Sequence, residues 1–297
     1  MISFDNGPLL AHFGLRTRPF DLPPDPAVFF PAPGHLRAQA VLDHGLATRA
    51  PVTLLTGDPG TGKSLLVREA VARAGADLSV AVLATAAPRG RCELFELILV
   101  ALGVPLPDPA GDAQFAALYA ALEERLVAEY ARGRRVLLVC DEAHALDDAC
   151  LAQLRRLLNI NFGGHDLLQL VLVGETDLRK RLGRPAHTSL AQLVSAHSHL
   201  PALRGADLPG YVEHRLRAAG AGRATFEQST AAPLLAASGG IPRLVNQLCA
   251  HALLYAFGAG ADHVTRKTVE AVIADGVVLG AAGQPPRPSP TPALALG

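Results

Sequence analysis

Residues 57–64 read Gly-Asp-Pro-Gly-Thr-Gly-Lys-Ser, a run in which glycines precede a lysine and a hydroxyl side chain. Glycines let the backbone turn its N–H groups toward an anion, Lys63 can reach phosphate oxygens, and the Ser64 hydroxyl can bind magnesium. A predicted buried strand precedes the run and a predicted helix follows it, which favours a phosphate-binding loop over a glycine turn with an exposed lysine. We therefore expect ATP and Mg²⁺ to be bound by Gly57, Asp58, Pro59, Gly60, Thr61, Gly62, Lys63, Ser64 and Leu65.

An acidic pair, Asp141 and Glu142, follows the apolar run 135–140 directly. Open α/β sheets place ligand chemistry at the carboxyl ends of their strands. Asp141 is expected to hold the magnesium ion, directly or through water, and Glu142 to polarise the attacking water as general base. The alternative is a solvated acidic strand cap. The letters continue to D-E-A-H, but a helicase of that type would need a much longer chain with two such domains.

Two further positions could sense the terminal phosphate. Glu175 or Thr176 follows the apolar run 167–174, although a carboxylate facing a triphosphate is unfavourable unless it contacts water or an arginine. A residue beside the positive end of a helix is the alternative there. Arg243 follows a Gly-Gly-Ile-Pro sequence at a predicted helix start, where Pro suits the first turn. We expect Arg243 to reach the γ-phosphate and act catalytically with Lys63 and Glu142; a surface arginine is the alternative.

The alternation of apolar runs and helical patterns predicts how these residues are positioned. Strands are expected over 51–56, 80–85, 135–140 and 167–174, with helices near 35–48, 65–74, 91–102, 112–131 and 148–159. Such alternation predicts a mainly parallel sheet sandwiched by helices. The fold class is therefore α/β, a P-loop nucleotide-binding domain over 35–204, followed by a small all-α lid domain over 205–280.

The two ends of the chain have their own composition. Residues 1–34 are rich in proline and aromatic residues, so we expect no regular helix there and predict that the segment packs on the nucleotide site. Residues 281–297 are proline-rich and are expected to form a disordered tail.

Overall composition excludes several classes of protein. The chain has 27 basic and 27 acidic residues and 49% hydrophobic residues, so it has a sizeable core and no global positive field for nucleic acid. Its four cysteines form no C-x-x-C pair, which argues against a disulfide framework and favours a reducing compartment. No signal peptide or membrane-spanning run is visible, so we expect a cytoplasmic protein without integral membrane insertion.

Several blocks together resemble the ExeA family of secretion-associated AAA+ ATPases, within a wider group that includes the transposition regulators TnsC and TniB. The resemblance covers roughly residues 10–275 and rests on FGLRTRPFDLPPDPAVFF, LLTGDPGTGKSLLVREAV, LLVCDEAHAL, LLQLVLVGETDL and SGGIPRLVNQLCAHALLYAF. It implies a cytoplasmic, ATP-dependent oligomeric component of a larger machine. It also implies that the segment from Phe13 to Pro26 lies near the adenine, with Arg18, Pro19 and Phe20 as candidates. Arg243 becomes the second sensor, with Asn246 beside it.

Two departures from the family pattern bear on activity. Glu175 stands where family members usually have glutamine. Leu193, in Leu-Ala-Gln-Leu-Val at 190–194, stands where the family has the arginine that would reach a neighbouring subunit's nucleotide. Arginine fingers contribute on the order of 10³–10⁵ in rate, so we expect slow turnover or a substitute arginine. The nearby candidates are Arg179, Arg181 and Arg184.

Three functions are consistent with these residues. The first is an ATPase that couples nucleotide state to homo-oligomerisation, as a ring or filament, and to assembly of a secretion or envelope apparatus with protein partners. The second is an ATP-dependent DNA-binding transposition regulator, in which Arg155-Arg156 and Arg179-Lys180-Arg181 could line a pore, although helix-surface charge is the commoner explanation. The third is a nucleotide-dependent switch with weak turnover, motivated by Leu193 and Glu175.

Overall fold

The structure is a computed structural model that describes residues 7–21, 28–75, 77–84, 88, 90–108, 111–278 and 280. The predicted tail at 281–297 and the prolines at positions 23, 24 and 26 lie outside the described residues. The chain divides into two compact units. We call residues 33–201 the α/β unit, and we call the described residues up to Ala32 together with those from Ala202 onward the helical unit.

Seven strands occur in the described part of the α/β unit, and five of them form one parallel sheet. They are β1 (Val52–Gly57), β2 (Leu78–Leu83), β3 (Arg135–Cys140), β4 (Asn161–Phe162), β5 (His165–Asp166), β6 (Leu168–Gly174) and β7 (Val194–Leu200). The sheet order is β2-β3-β6-β1-β7, and β4 pairs with β5 in a short antiparallel hairpin. Strands β1 and β6 are buried along their whole length, which explains their continuous apolar sequences. The α/β fold with a parallel sheet is confirmed.

Strand β7 is absent from the sequence prediction. Its sequence, Val-Ser-Ala-His-Ser-His-Leu, is polar, and only Ala196 and Leu200 are buried. The strand lies at the sheet edge and pairs with β1 alone, so one side is free of sheet partners. Half-buried edge strands carry alternating rather than continuous apolar residues, so β7 lacks the apolar run that predicts the interior strands.

Twelve helices of the described chain surround the sheet or build the helical unit. They are α1 (Gly7–His12), α2 (Pro33–Ala47), α3 (Lys63–Arg73), α4 (Arg91–Ala101), α5 (Gln114–Ala131), α6 (Asp148–Leu157), α7 (Thr176–Leu182), α8 (Thr188–Ala191), α9 (Leu208–Ala218), α10 (Ala231–Ser238), α11 (Pro242–Gly258) and α12 (Arg266–Ala274). The core of the α/β unit joins the sheet to α4, α5 and α6, with Leu94, Phe95 and Leu154 completely buried. Within the described ranges, none of the helices is both long and apolar enough to cross a bilayer.

The N-terminal segment contributes to the core of the helical unit. Phe13 and Phe20 are buried there among α9, α10, α11 and α12, and the Arg215 side chain donates to the Pro19 carbonyl at 2.7 Å. The expectation that no regular helix occurs in residues 1–34 is wrong, because α1 spans Gly7–His12. The only proline of α1, Pro8, lies in the first turn, where a backbone N–H has no acceptor within the helix, so its absence costs nothing. Packing of this segment on the nucleotide site stays a prediction.

Candidate nucleotide site

The glycine-rich loop connects the end of β1 to the start of α3. Gly62 caps α3 with φ 101°, a backbone conformation that L side chains rarely adopt. The Thr61 hydroxyl donates to the Asp58 carbonyl at 2.8 Å, and the Thr61 N–H approaches the same oxygen at 3.3 Å. Both contacts join residues of the loop to each other, so they stabilise the loop conformation without a ligand.

The Lys63 ammonium lies inside this loop and is 5% exposed. Its Nζ donates to the Gly57 carbonyl at 2.9 Å and to the Asp58 carbonyl at 3.0 Å. Burial lowers the Lys63 pKa, and nearby carboxylates raise it in part without restoring its usual value. Those carboxylates are Glu142, Glu175, Asp141 and Asp58. A buried cation held only by neutral carbonyls is suited to exchange them for phosphate oxygens.

A buried histidine of α2 forms a hydrogen bond with the loop. His35 Nε2 lies 3.1 Å from the Thr61 carbonyl, and since a carbonyl only accepts, the ring nitrogen donates. Sequence reasoning missed His35, which lies 26 residues before Thr61 and belongs to no motif. His35 could have been predicted only from the packing of α2 against the loop, which the sequence does not show.

The acidic pair lies at the end of β3, in line with the prediction from its sequence position. The Asp141 N–H donates to the Leu83 carbonyl at 2.9 Å, and Asp141 Oδ1 accepts from the Glu142 N–H at 3.0 Å. Glu142 has φ 55°, a left-handed conformation that is uncommon outside glycine and recurs at functional sites. The Asp141 carboxylate and the Ser64 hydroxyl are hard oxygen donors, which is the ligand chemistry that Mg²⁺ prefers.

Glu175 and Thr176 also come to this edge, because β6 lies between β1 and β3. The Thr176 hydroxyl lies 3.4 Å from Asp58 Oδ1. The Glu175 carboxylate lies 3.5 Å from His144 Nε2, which is itself 3.4 Å from the Glu142 carboxylate. The sequence required water or an arginine beside Glu175; the structure supplies a histidine.

The two candidate residues on α11 differ in exposure. Arg243 is exposed in the first turn of α11. Asn246 is buried, and its Oδ1 accepts from the Tyr211 hydroxyl at 2.8 Å, which ties α11 to α9. Asn246 therefore has a structural partner of its own, and the sensing role of Arg243 stays a prediction.

The arginines considered as substitutes for the missing finger are in different environments. Leu193 packs against the core of the α/β unit. The Arg181 guanidinium donates to the carbonyls of His144 and Leu146 and to Asp148 Oδ1, each at 2.8 Å. Arg179 and Arg184 are exposed.

Two of the basic residues considered for a pore make contacts within their own part of the chain. Arg155 donates to Asn159 Oδ1 at 2.6 Å at the end of its own helix. Lys180 pairs with Asp177 within α7 at 2.8 Å. Both contacts are local, as expected for helix-surface charge.

Comparison with known proteins identifies the family. A family model described as an AAA domain matches residues 47–182. General secretion pathway protein A of Aeromonas hydrophila is 33% identical over 252 residues, which is 85% of this chain and 45% of that protein. The chain thus spans less than half the length of this curated relative.

Solved structures agree on the fold. Cdc6p of Pyrobaculum aerophilum superposes with a TM-score of 0.67 at 19% identity, covering 86% of this chain and 72% of that chain. The Drosophila ORC structure bound to DNA gives a TM-score of 0.68 at 18% identity, covering 93% and 68%. The chain therefore belongs to the ExeA-type, general secretion pathway protein A-like AAA+ family.

Proposed function

We propose that the chain binds ATP with Mg²⁺ at the loop 57–64 and hydrolyses it. The observation that carries this proposal is the Lys63 ammonium, which is buried in the loop with two carbonyls as its partners. Phosphate oxygens would replace those carbonyls and repay the desolvation that lowers the lysine pKa. The glycine loop and the N-terminus of α3 supply further donors to the phosphates.

Hydrolysis would use the carboxylates at the ends of the neighbouring strands. Ser64 and Asp141 would hold Mg²⁺, which when bound neutralises charge on the phosphate oxygens. Glu142 would accept a proton from the attacking water as general base. Arg243 would add positive charge at the γ-phosphate and make the helical unit responsive to it.

The relative named above motivates a proposal for the cellular role. We propose that ATP binding drives homo-oligomerisation in the cytoplasm, as a ring or filament, and that the assembly acts on protein partners of a secretion or envelope apparatus. The exposed Arg179 and Arg184 would be available to a neighbouring subunit, whereas Arg181 would first have to leave three bonds.

Two pairs of variants test the proposal. Lys63→Ala should abolish binding of a fluorescent ATP analogue, whereas Lys180→Ala, which removes an exposed lysine of the same unit, should leave it unchanged. Glu142→Gln should retain binding and lose turnover, while the exposed Glu124→Gln should lose neither. Unchanged nucleotide affinity in Lys63→Ala would defeat the site assignment.

A nucleotide-dependent switch with weak turnover is the second candidate, and the packing of Leu193 against the core favours it. A side chain committed to the core offers no charge to a neighbouring subunit. Light scattering with ATP, ADP and a non-hydrolysable analogue would separate the candidates. The switch requires assembly with the analogue and no Glu142-dependent turnover, whereas the ATPase requires turnover that rises as the protein assembles.

A further inference from the structure

The short turn after the acidic pair is held rigidly against β6. A Cβ atom added to Gly174 would lie 3.2 Å from the His144 backbone nitrogen, so the two backbones approach closely. From α7, the Arg181 guanidinium donates to the His144 carbonyl at 2.8 Å. The position of the His144 side chain is therefore set from two sides, and it projects among the carboxylates of the site.

The hydrogen bonds of His144 fix which ring nitrogen carries hydrogen. The Glu175 N–H donates to His144 Nδ1 at 3.4 Å, so Nδ1 is an acceptor. In a neutral imidazole the other nitrogen, Nε2, then carries the hydrogen. That Nε2 lies 3.4 Å from Glu142 Oε2 and 3.5 Å from Glu175 Oε1. The Nε2 edge of the ring thus faces two carboxylate oxygens, at distances longer than an ordinary N–H···O hydrogen bond.

We propose that His144 is a positioning residue for Glu142, an inference that rests on the proposed ATP hydrolysis. The Nε2–H dipole lies between the two carboxylates and stabilises the observed orientation of Glu142 beside Glu175. Without it, two carboxylates would face each other next to the triphosphate, and their repulsion would turn Glu142 away from the water it must activate. His144 acts through Glu142 and needs no contact with the nucleotide.

The same three side chains could be taken for a metal site. Their ligand atoms all lie within 4.8 Å of one another, and two carboxylates with an imidazole suit Zn²⁺. A metal, however, needs an Nε2 without hydrogen, and the Glu175 N–H on Nδ1 selects the opposite tautomer. The donor role therefore fits the observed contacts, and zinc becomes an outcome of the test.

The experiment measures ATP turnover and nucleotide affinity in His144→Ala and His144→Gln. Because misplacing a catalytic group by about 1 Å costs up to about 100-fold, we expect His144→Ala to lower kcat about 10- to 100-fold. KM and nucleotide affinity should stay within about two-fold. His144→Gln keeps an N–H donor and should recover most of the loss. The matched control is His165→Ala, an exposed histidine of the β4–β5 hairpin.

A double variant isolates the charge argument. In Glu175→Gln the facing carboxylate is gone, so adding His144→Ala should cost much less than it does alone. Equal losses in both backgrounds would overturn the inference.

Other outcomes separate this inference from the proposed function. Wild-type turnover that Glu142→Gln abolishes but His144→Ala leaves unchanged would overturn the inference alone. A His144→Ala protein that loses kcat and melting temperature together, without rescue by His144→Gln, would indicate a purely structural role. Inhibition by micromolar Zn²⁺ that disappears in His144→Ala would establish the metal site instead. A wild-type protein without turnover would overturn both.

Discussion

The adjacent glycines before α11 offer a matched test of how the segment carrying Arg243 is built. Both have left-handed backbones, Gly239 with φ 58° and Gly240 with φ 75°. A Cβ atom added to Gly239 meets nothing within 4 Å, whereas one added to Gly240 would lie 2.1 Å from the Leu203 carbonyl oxygen. The Gly240 carbonyl also accepts from the Leu203 N–H at 2.9 Å. The same substitution to alanine should therefore have two different costs.

Gly239→Ala carries the left-handed strain alone, about 1–2 kcal/mol, partly offset by the stiffer unfolded chain, about 0.4–1 kcal/mol. We expect it to destabilise the helical unit by about 1 kcal/mol. Gly240→Ala adds an overpacking cost of about 1–3 kcal/mol and endangers the hydrogen bond to Leu203, worth about 1 kcal/mol. Its cost should exceed that of Gly239→Ala by about 2 to 3 kcal/mol.

Hydrogen exchange measured by mass spectrometry on peptides of α10 and α11 reports the opening free energy of this unit separately from the α/β unit. The difference should appear there and leave peptides of β1 and β6 unchanged. If the two variants cost the same, the close approach of Gly240 to Leu203 does not exist in solution, and the segment leading to Arg243 is placed differently.

Two further predictions concern the α/β unit. Glu129 is completely buried with Arg125, Arg132 and Arg134 around it. Glu129→Gln should cost about 2 kcal/mol in chemical denaturation, against no change in the exposed Glu124→Gln. Burial raises the Glu129 pKa, but the hydrogen bond from Arg134 and the arginine charges outweigh it and leave the pKa below its ordinary value of 4.5. The contribution of ionised Glu129 to the free energy of unfolding is therefore present above pH 4.5 and is lost as the pH falls through the pKa of Glu129 in the folded protein. Arg184→Ala should lower turnover at least tenfold under assembling conditions and leave nucleotide affinity unchanged; equal turnover would exclude it as the finger.

The parts of the fold that could be predicted are those buried on both sides. The interior strands β1, β3 and β6 read as apolar runs because neither face meets water, and their predicted ends differ from the structure by at most one residue. Strand β7 gave no such signal, since its edge position tolerates serine and histidine. Helix α1 was not predicted, because the many prolines in residues 1–34 argue against any helix there.

The candidate site divides in the same way. Lys63, Asp141 and Glu142 lie in motifs whose order along the chain mirrors their position in the sheet, so spacing alone brought them together. His35 could not be found by spacing, because its partner Thr61 lies 26 residues away. The D-E-A-H letters contain His144, but its contact with Glu175, 31 residues away, forms only because β6 lies beside β3. The hydrogen bond of His35 to a loop carbonyl and the contact of His144 with Glu175 both depend on tertiary packing.

The electrostatics of the edge bear on the proposed role of Mg²⁺. One lysine faces four carboxylates that lie within its electrostatic reach, so the edge is net negative before a triphosphate arrives. The His144 Nε2 lies 3.4 and 3.5 Å from two of them, the carboxylates of Glu142 and Glu175. A triphosphate adds roughly four negative charges, and in a partly desolvated site such repulsion is weakly screened. Magnesium held by Ser64 and Asp141 would offset part of this repulsion. If the proposed function holds, this acidic excess would favour the magnesium complex of ATP over free ATP, a selectivity that arises from the carboxylates at the strand ends as well as from the loop.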